Sequence, residues 1–69
     1  MQATAEPTYQ PTAMLDTHRA AEVLGLRAQT LHEWRTRRVG PPYLKLGRAV
    51  RYQYRALMDW AEAQRVETY

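Results

Sequence analysis

Cationic side chains are concentrated in the middle of the sequence. Residues 27–55, here called the basic stretch, contain eight arginines and lysines but one acid, Glu33, whereas acids outnumber cations by six to two in the remainder. The eight cations are Arg27, Arg35, Arg37, Arg38, Lys45, Arg48, Arg51 and Arg55. A surface of this composition favours a polyanionic partner. A basic face that is merely solvated is less consistent with so strong a segregation.

The other reactive side chains form no catalytic or metal-binding pattern. The chain has no cysteine, and its two histidines, His18 and His32, are too few for a structural zinc ion. The sequence contains no nucleophile, histidine and carboxylate arrangement and no glycine-rich phosphate loop, and its carboxylates are scattered. We therefore expect neither enzymatic activity nor a cofactor or metal.

The length of 69 residues allows one small domain. No apolar run approaches a membrane-spanning length and no signal-peptide pattern opens the chain, so a soluble cytoplasmic protein that does not bind membranes is expected. Residues 1–13 contain two of the four prolines and no periodic apolar pattern, which predicts a flexible arm without fixed structure. The domain is then expected to span residues 14–65, followed by a frayed tail at 66–69.

Two helices joined by a glycine are predicted at the start of the domain. Asp16 or Thr17 can cap a first helix that runs to about Leu24. Gly25 can adopt the left-handed conformation that ends a helix. A second helix is expected from about residue 28 to residue 37, and the Val-Gly-Pro-Pro sequence after Arg38 stops it.

Small residues suggest that these two helices cross at close range. Ala20 and Ala21 occupy positions where a helix with a buried face usually has larger side chains. Ala21, Gly25 and Leu31 have the Ala-x3-Gly-x5-Leu spacing that is typical of a helix-turn-helix. An ordinary helical hairpin could have the same spacing. The overlap with the basic stretch and a β-hairpin farther along favour the helix-turn-helix.

A β-hairpin is predicted in the sequence YLKLGRAVRYQY, which alternates around Gly47. A two-residue loop would place Leu44 and Leu46 on the same face as Arg51. A three-residue loop, residues 47–49, instead gives one apolar face formed by Leu44, Leu46, Val50 and Tyr52. The other face then carries Lys45 and Arg51. We therefore predict the three-residue loop.

A third helix is expected from about Arg55 to Arg65, since Leu57, Trp60 and Ala61 repeat on one face. Trp34 of the second helix and Trp60 are expected to lie in the core rather than to stack on bases. The predicted fold class is mainly α with a small β-hairpin. Its architecture is a winged helix-turn-helix of three helices plus a wing.

At about residues 14–63 the chain resembles the small winged helix-turn-helix domains of the MerR-like superfamily, in particular excisionases and AlpA-type regulators. The resemblance rests on the motifs AAxxLGL, TLxxW, KLGRxVRY and LxxW. The sequence departs from the family pattern at Arg27, where a serine or threonine cap is usual. It departs again at Arg55-Ala56, where a Ser-Asp pair usually opens the last helix, and this leaves that helix without an obvious cap.

The resemblance implies a bacterial or phage-encoded protein that binds double-stranded DNA in the nucleoid. The second helix is expected to enter the major groove, with its DNA-binding residues being Arg27, Ala28, Gln29, Thr30, His32, Glu33, Arg35 and Arg37. In the wing, the expected DNA-binding residues are Lys45, Gly47, Arg48 and Arg51. For His32, a DNA contact and simple exposure are equally consistent with the sequence.

Three functions remain open at this stage. An excisionase (recombination directionality factor) would bind tandem sites cooperatively in a head-to-tail array, bend DNA, and direct a site-specific recombinase (integrase) toward excising a mobile element. A small AlpA-like or MerR-like transcriptional regulator is the alternative. A protein-interaction module for an acidic partner is disfavoured, because cations occur on both the second helix and the hairpin tip. MerR-type regulators continue into a long dimerisation helix beyond such a domain, so we favour the excisionase.

Overall fold

The computed structural model describes residues 9–68, which form three helices and a small sheet. In chain order the elements are β1 (Met14–Leu15), α1 (Thr17–Leu24), α2 (Ala28–Arg37), β2 (Leu44–Leu46), β3 (Ala49–Gln53) and α3 (Tyr54–Ala63). The strands form an antiparallel sheet in the order β1-β3-β2. This arrangement confirms the predicted fold class, a mainly helical winged helix-turn-helix. Within the described residues, no helix is long and apolar enough to cross a membrane.

The turn between α1 and α2 follows from local signals in the sequence. The side chain of Asp16 accepts a hydrogen bond of 2.8 Å from the backbone N–H of Arg19, which makes Asp16 the N-cap of α1. Gly25 ends the helix in the left-handed conformation, with φ +71°. The N–H of Leu26 then donates a hydrogen bond to the carbonyl of Ala21 at 2.9 Å. Both the cap and the glycine turn are as predicted.

The core is built where α1, α2, α3 and the sheet meet. Its fully buried side chains are Leu15, Ala20, Ala21, Leu31, Tyr52 and Leu57. Ala20 and Ala21 are 0% and 3% exposed, which confirms that their small size serves close packing. Trp34 is half-buried against this cluster, and its ring centroid lies 5.8 Å from that of Trp60. The tryptophan pair therefore joins α2 to α3.

Residues 9–13 are part of the folded domain, so the prediction that all of residues 1–13 form an unstructured arm is wrong for this segment. The Tyr9 ring packs 5.4 Å from that of Tyr54. The carbonyls of Pro11 and Ala13 accept hydrogen bonds from the backbone N–H groups of Arg55 and Tyr54, at 3.0 and 2.9 Å. Since α3 has no side-chain cap, these carbonyls take the place of a cap for the first two N–H groups of the helix. Residues 1–8 of the predicted arm lie outside the described residues.

The hairpin has a two-residue turn, so the predicted three-residue loop is wrong. Leu46 pairs with Ala49 and Leu44 pairs with Arg51 across β2 and β3. Gly47 opens the turn with φ +66°, and a glycine with positive φ at the first turn position is typical of a type II′ hairpin. Leu44 and Leu46 are consequently 40% and 53% exposed. The apolar face toward the core comes from β3 alone, through the buried Tyr52 and the half-buried Val50.

Candidate nucleic-acid interface

The exposed face of α2 carries polar side chains that could contact another molecule. Leu31 is buried and Ala28 packs against the core, whereas Gln29, His32 and Glu33 are exposed. The Nε2 of Gln29 donates to Oε2 of Glu33 at 3.3 Å. Of the other predicted residues of this helix, Thr30 is half-buried and Arg37 is exposed. The exposed polar residues on this face supply both hydrogen-bond donors and acceptors.

The N-terminus of α2 has a cation in place of a capping side chain. Arg27 is the N-cap residue, with φ −90° and ψ 145°, and its side chain makes no capping hydrogen bond. It is exposed. The first turn of a helix presents unpaired N–H groups and a partial positive charge, both of which favour an anionic group. The arginine adds a full charge at this point, which suits a phosphate or an acceptor-rich base edge.

Arg35, one of the predicted DNA-binding cations, has its guanidinium occupied by partners on three other elements or residues of the protein. Its Nη1 donates to the hydroxyl of Tyr52 at 2.8 Å and to Oγ1 of Thr17 at 3.3 Å. Its Nη2 lies 3.2 Å from Nδ1 of His32. The guanidinium carbon also lies 5.7 Å from the ring centroid of Tyr43 and 6.0 Å from that of Tyr52. Arg35 therefore links α1, α2 and β3.

A shallow concave surface lies beside this guanidinium, between α1 and α2. It is lined by Thr17, His18, Ala28, Gln29, His32 and Arg35. His18 is exposed here, as expected for a surface residue of the first turn. The lining is polar and cationic, and the described residues contain no group of three or more metal-ligating side chains.

The wing, formed by β2 and β3, places one cation at its tip and separates two others. Arg48 is exposed in the turn beside Gly47. Lys45 pairs with Val50 and Arg51 with Leu44, so Lys45 and Arg51 lie on opposite faces of the hairpin rather than together. Arg51 is half-buried, and its Nη1 donates to the carbonyl of Val50 at 2.8 Å. The structure therefore does not bring the predicted wing cations onto one surface.

Asp16, the N-cap of α1, interacts electrostatically with the wing cation Arg51. The hydrogen bond from the backbone N–H of Arg19 holds the pKa of Asp16 below its ordinary value, and the positive charges of Arg19, His18 and Arg51 act in the same direction. Asp16 consequently stays ionised at neutral pH. Its negative charge keeps α1 capped and offsets part of the positive charge of Arg51.

Arg38, a cation of the basic stretch that is not among the predicted DNA-binding residues, has an unusual backbone conformation. Arg38 is the C-cap of α2 and adopts the left-handed conformation, with φ 60° and ψ 40°. It is exposed, directly after the exposed Arg37. A non-glycine residue in this conformation is strained, and nothing in the local sequence distinguishes it from the other arginines.

The comparisons with known proteins agree with this geometry. A search of curated proteins gave no significant match. A family model described as a helix-turn-helix domain matches residues 14–65, which include all six helices and strands. The match spans most of the 69 residues. The chain therefore belongs to the helix-turn-helix domain family, a family of DNA-binding domains.

Proposed function

We propose that the domain binds double-stranded DNA with α2 in the major groove and the wing against the adjoining backbone or minor groove. The observation that carries this proposal is the position of the basic stretch: it coincides with α2 and the wing, and contains a single acid. α2 also presents its polar side chains on the face opposite to buried Leu31. An α-helix fits the major groove, where base edges can be distinguished.

Individual contacts follow from the chemistry of the exposed residues. Gln29 can form a bidentate pair with adenine, and Arg27 can reach guanine or a phosphate. In the free protein the side chain of Gln29 donates a hydrogen bond to Glu33 at 3.3 Å. When the domain binds DNA, Gln29 gives up this bond and pairs with the base instead. Arg48, at the tip of the wing, is suited to a narrow A·T-rich minor groove, whose negative potential attracts arginine.

A substitution at Gln29 tests the position of α2. Gln29→Ala should weaken binding to the preferred site by about 1–3 kcal/mol and relax the preference at one base pair. The control is Gln10→Ala, which removes another exposed glutamine outside the basic stretch. Affinity and preference can be measured by mobility shift on duplexes selected from a random pool. Unchanged binding and preference in folded Gln29→Ala would show that this face of α2 does not read bases.

Within this DNA-binding role, we propose an excisionase that acts as an architectural protein. One domain offers one helix and one wing, and each good base contact contributes only about 1–3 kcal/mol. Several copies on tandem sites would supply the missing discrimination. Exposed apolar side chains, Leu44 and Leu46 on the wing and Met58 on α3, are available for contacts between neighbours. In-phase bends would bring distant recombinase sites together, which promotes excision without catalysis by this chain.

The number of adjacent sites and the shape of the DNA test this finer role. Mobility shifts on one, two and three tandem sites should show cooperative binding, and circular-permutation assays should show a bend that grows with the number of copies. An AlpA-like or MerR-like regulator is the competing function. Independent binding to straight DNA would favour that regulator over the excisionase. No retardation of any duplex would refute DNA binding as a whole.

A further inference from the structure

The contact between Arg35 and His32 fixes which ring nitrogen of the histidine carries a proton. The Nη2 of Arg35 lies 3.2 Å from Nδ1 of His32. A guanidinium has five N–H donors and no acceptor, and it does not lose its proton in proteins. Nδ1 must therefore be the acceptor, with a free lone pair. A neutral imidazole has one donor and one acceptor nitrogen, so the proton of His32 resides on Nε2.

The guanidinium is itself held in place from two other elements. The hydroxyl of Tyr52 in β3 and the Oγ1 of Thr17 in α1 both accept from Nη1, which leaves Nη2 for the histidine. The Tyr52 side chain is 1% exposed, so this anchor is rigid. The exposed His32 is thus oriented by a chain of contacts that begins in the core.

We propose that Arg35 is a positioning residue that presents His32 to DNA as a hydrogen-bond donor, and that His32 thereby excludes cytosine at the base it faces. This inference rests on the proposed function, which places α2 in the major groove. In the major groove, guanine offers acceptors at N7 and O6, adenine at N7 and thymine at O4. Cytosine offers only its N4 amino donor. Two donors facing each other cannot form a hydrogen bond.

The size of the discrimination can be stated as a ratio of affinities. A mismatched base pair in a specific site weakens binding by roughly 5–150-fold. A single donor contact belongs near the lower end, so we expect cytosine to be disfavoured by about tenfold at one position. The opposite tautomer would present an acceptor at Nε2 and favour cytosine, so the sign of the preference separates the two cases.

The tautomer can be tested in the free protein without DNA. Nitrogen NMR of the imidazole at neutral pH should show an unprotonated Nδ1 and a protonated Nε2 in His32. Tyr52→Phe removes an acceptor of Arg35, and Arg35→Met removes the donor; both should leave His32 in a mixture of tautomers. Tyr43→Phe is the matched control, because the Tyr43 ring flanks the same guanidinium but its hydroxyl makes no hydrogen bond among residues 9–68. Protonation of Nδ1 in the wild-type protein would overturn the proposal.

Selection from random duplexes tests the base preference. The wild-type protein should disfavour cytosine at one position, and His32→Ala should lose that preference. His32→Gln, whose amide can both donate and accept, should admit cytosine there. Arg35→Met should relax the preference at this same position, and Tyr52→Phe should do so to a smaller extent.

Two results would contradict the inference, and they are distinguishable from failure of the proposed function. If His32→Ala weakened all sequences equally, His32 would contact a phosphate rather than a base. If Arg35→Met kept the preference but lowered the salt slope by about one, Arg35 would itself bind a phosphate. Absence of DNA binding by the wild-type protein would refute the proposed function and cytosine exclusion together, while the tautomer measurement would still report on Arg35 and His32.

Discussion

Gly40 should tolerate a methyl group far less well than the other two glycines of the chain. It has φ +91°, and a Cβ added there would lie 2.7 Å from Cε3 and 3.2 Å from Cβ of Trp34. The first distance is shorter than carbon atoms allow. Trp34 cannot retreat freely, because it packs against the core and against Trp60 of α3. Gly40→Ala should therefore displace the tryptophan that sets α2 against α3.

The expected loss of stability in Gly40→Ala has two parts. A left-handed conformation costs a residue with a side chain about 1–2 kcal/mol, and forcing an extra carbon into a packed site costs about 1–3 kcal/mol. We expect Gly40→Ala to lower the free energy of unfolding by about 2–5 kcal/mol. A domain of this size has a total of only about 3–9 kcal/mol, so the variant should be partly unfolded at 37 °C.

The other two glycines separate these contributions. Gly25 and Gly47 have φ +71° and +66°, and a Cβ at either would meet no atom within 4 Å. Gly25→Ala and Gly47→Ala should therefore lose only the conformational part, about 1–2 kcal/mol. Urea denaturation followed by far-ultraviolet circular dichroism measures all three. A Gly40→Ala variant no less stable than these controls would refute the steric argument and show that Trp34 moves without cost.

Three further substitutions examine the cap, the strained arginine and the wing. Asp16→Ala should cost about 0.5–2 kcal/mol in urea denaturation at pH 7. Folding lowers the pKa of Asp16. Its contribution to the free energy of unfolding is therefore complete above the ordinary carboxyl pKa and is lost as the pH falls through the lower value of the folded protein. The stabilities of the wild-type protein and Asp16→Ala should consequently converge in acid. Arg38→Gly should stabilise the domain by about 1 kcal/mol in the same assay, whereas Arg38→Ala should bring no gain. Arg48→Ala should weaken DNA binding most on A·T-rich flanks in mobility shifts; equal loss on all flanks would indicate a phosphate contact.

The helix-turn-helix could be predicted because its signals act over a few residues. Asp16 caps the helix that follows it directly, and Gly25 supplies the positive φ that ends it. Ala21 and Leu31 are placed by helical periodicity on the faces that meet. Backbone hydrogen bonding and side-chain size decide each of these features locally, and tertiary packing does not oppose them.

The hairpin register could not be predicted from its apolar pattern. Burying Leu44 and Leu46 requires a longer loop, but β2 is an edge strand, and Tyr52 and Val50 of β3 already cover the core. The turn then follows the preference of Gly47 for a positive φ at its first position. Turn geometry therefore prevailed over alternation, since no core space remained for the two leucines.

The sequence does not reveal that residues 9–13 are folded, because backbone hydrogen bonds, which leave no side-chain pattern, join them to α3. The sequence of this segment has no periodic apolar pattern, yet the carbonyls of Pro11 and Ala13 accept hydrogen bonds from the first residues of α3. The one available signal was α3 itself, which lacks a capping side chain. A helix start without a capping side chain leaves N–H groups that need another partner, either water or a group elsewhere in the chain. That requirement indicates that a partner exists but does not identify it.

Counting cations likewise overstates how many can face DNA. The guanidinium of Arg35 is hydrogen-bonded to Tyr52, Thr17 and His32, and that of Arg51 donates to the carbonyl of Val50. A buried tyrosine hydroxyl needs a partner, but only the fold shows that Arg35 supplies it. With these two of the eight cations of the basic stretch occupied, about six at most neutralise phosphates. The slope of log K against log salt should then be no steeper than about −5.4 per bound domain. DNA-binding titrations between low and moderate salt measure this slope. A slope near −7 would show that Arg35 and Arg51 leave their intramolecular partners to bind DNA. A slope near −1 would show that the basic stretch does not face DNA.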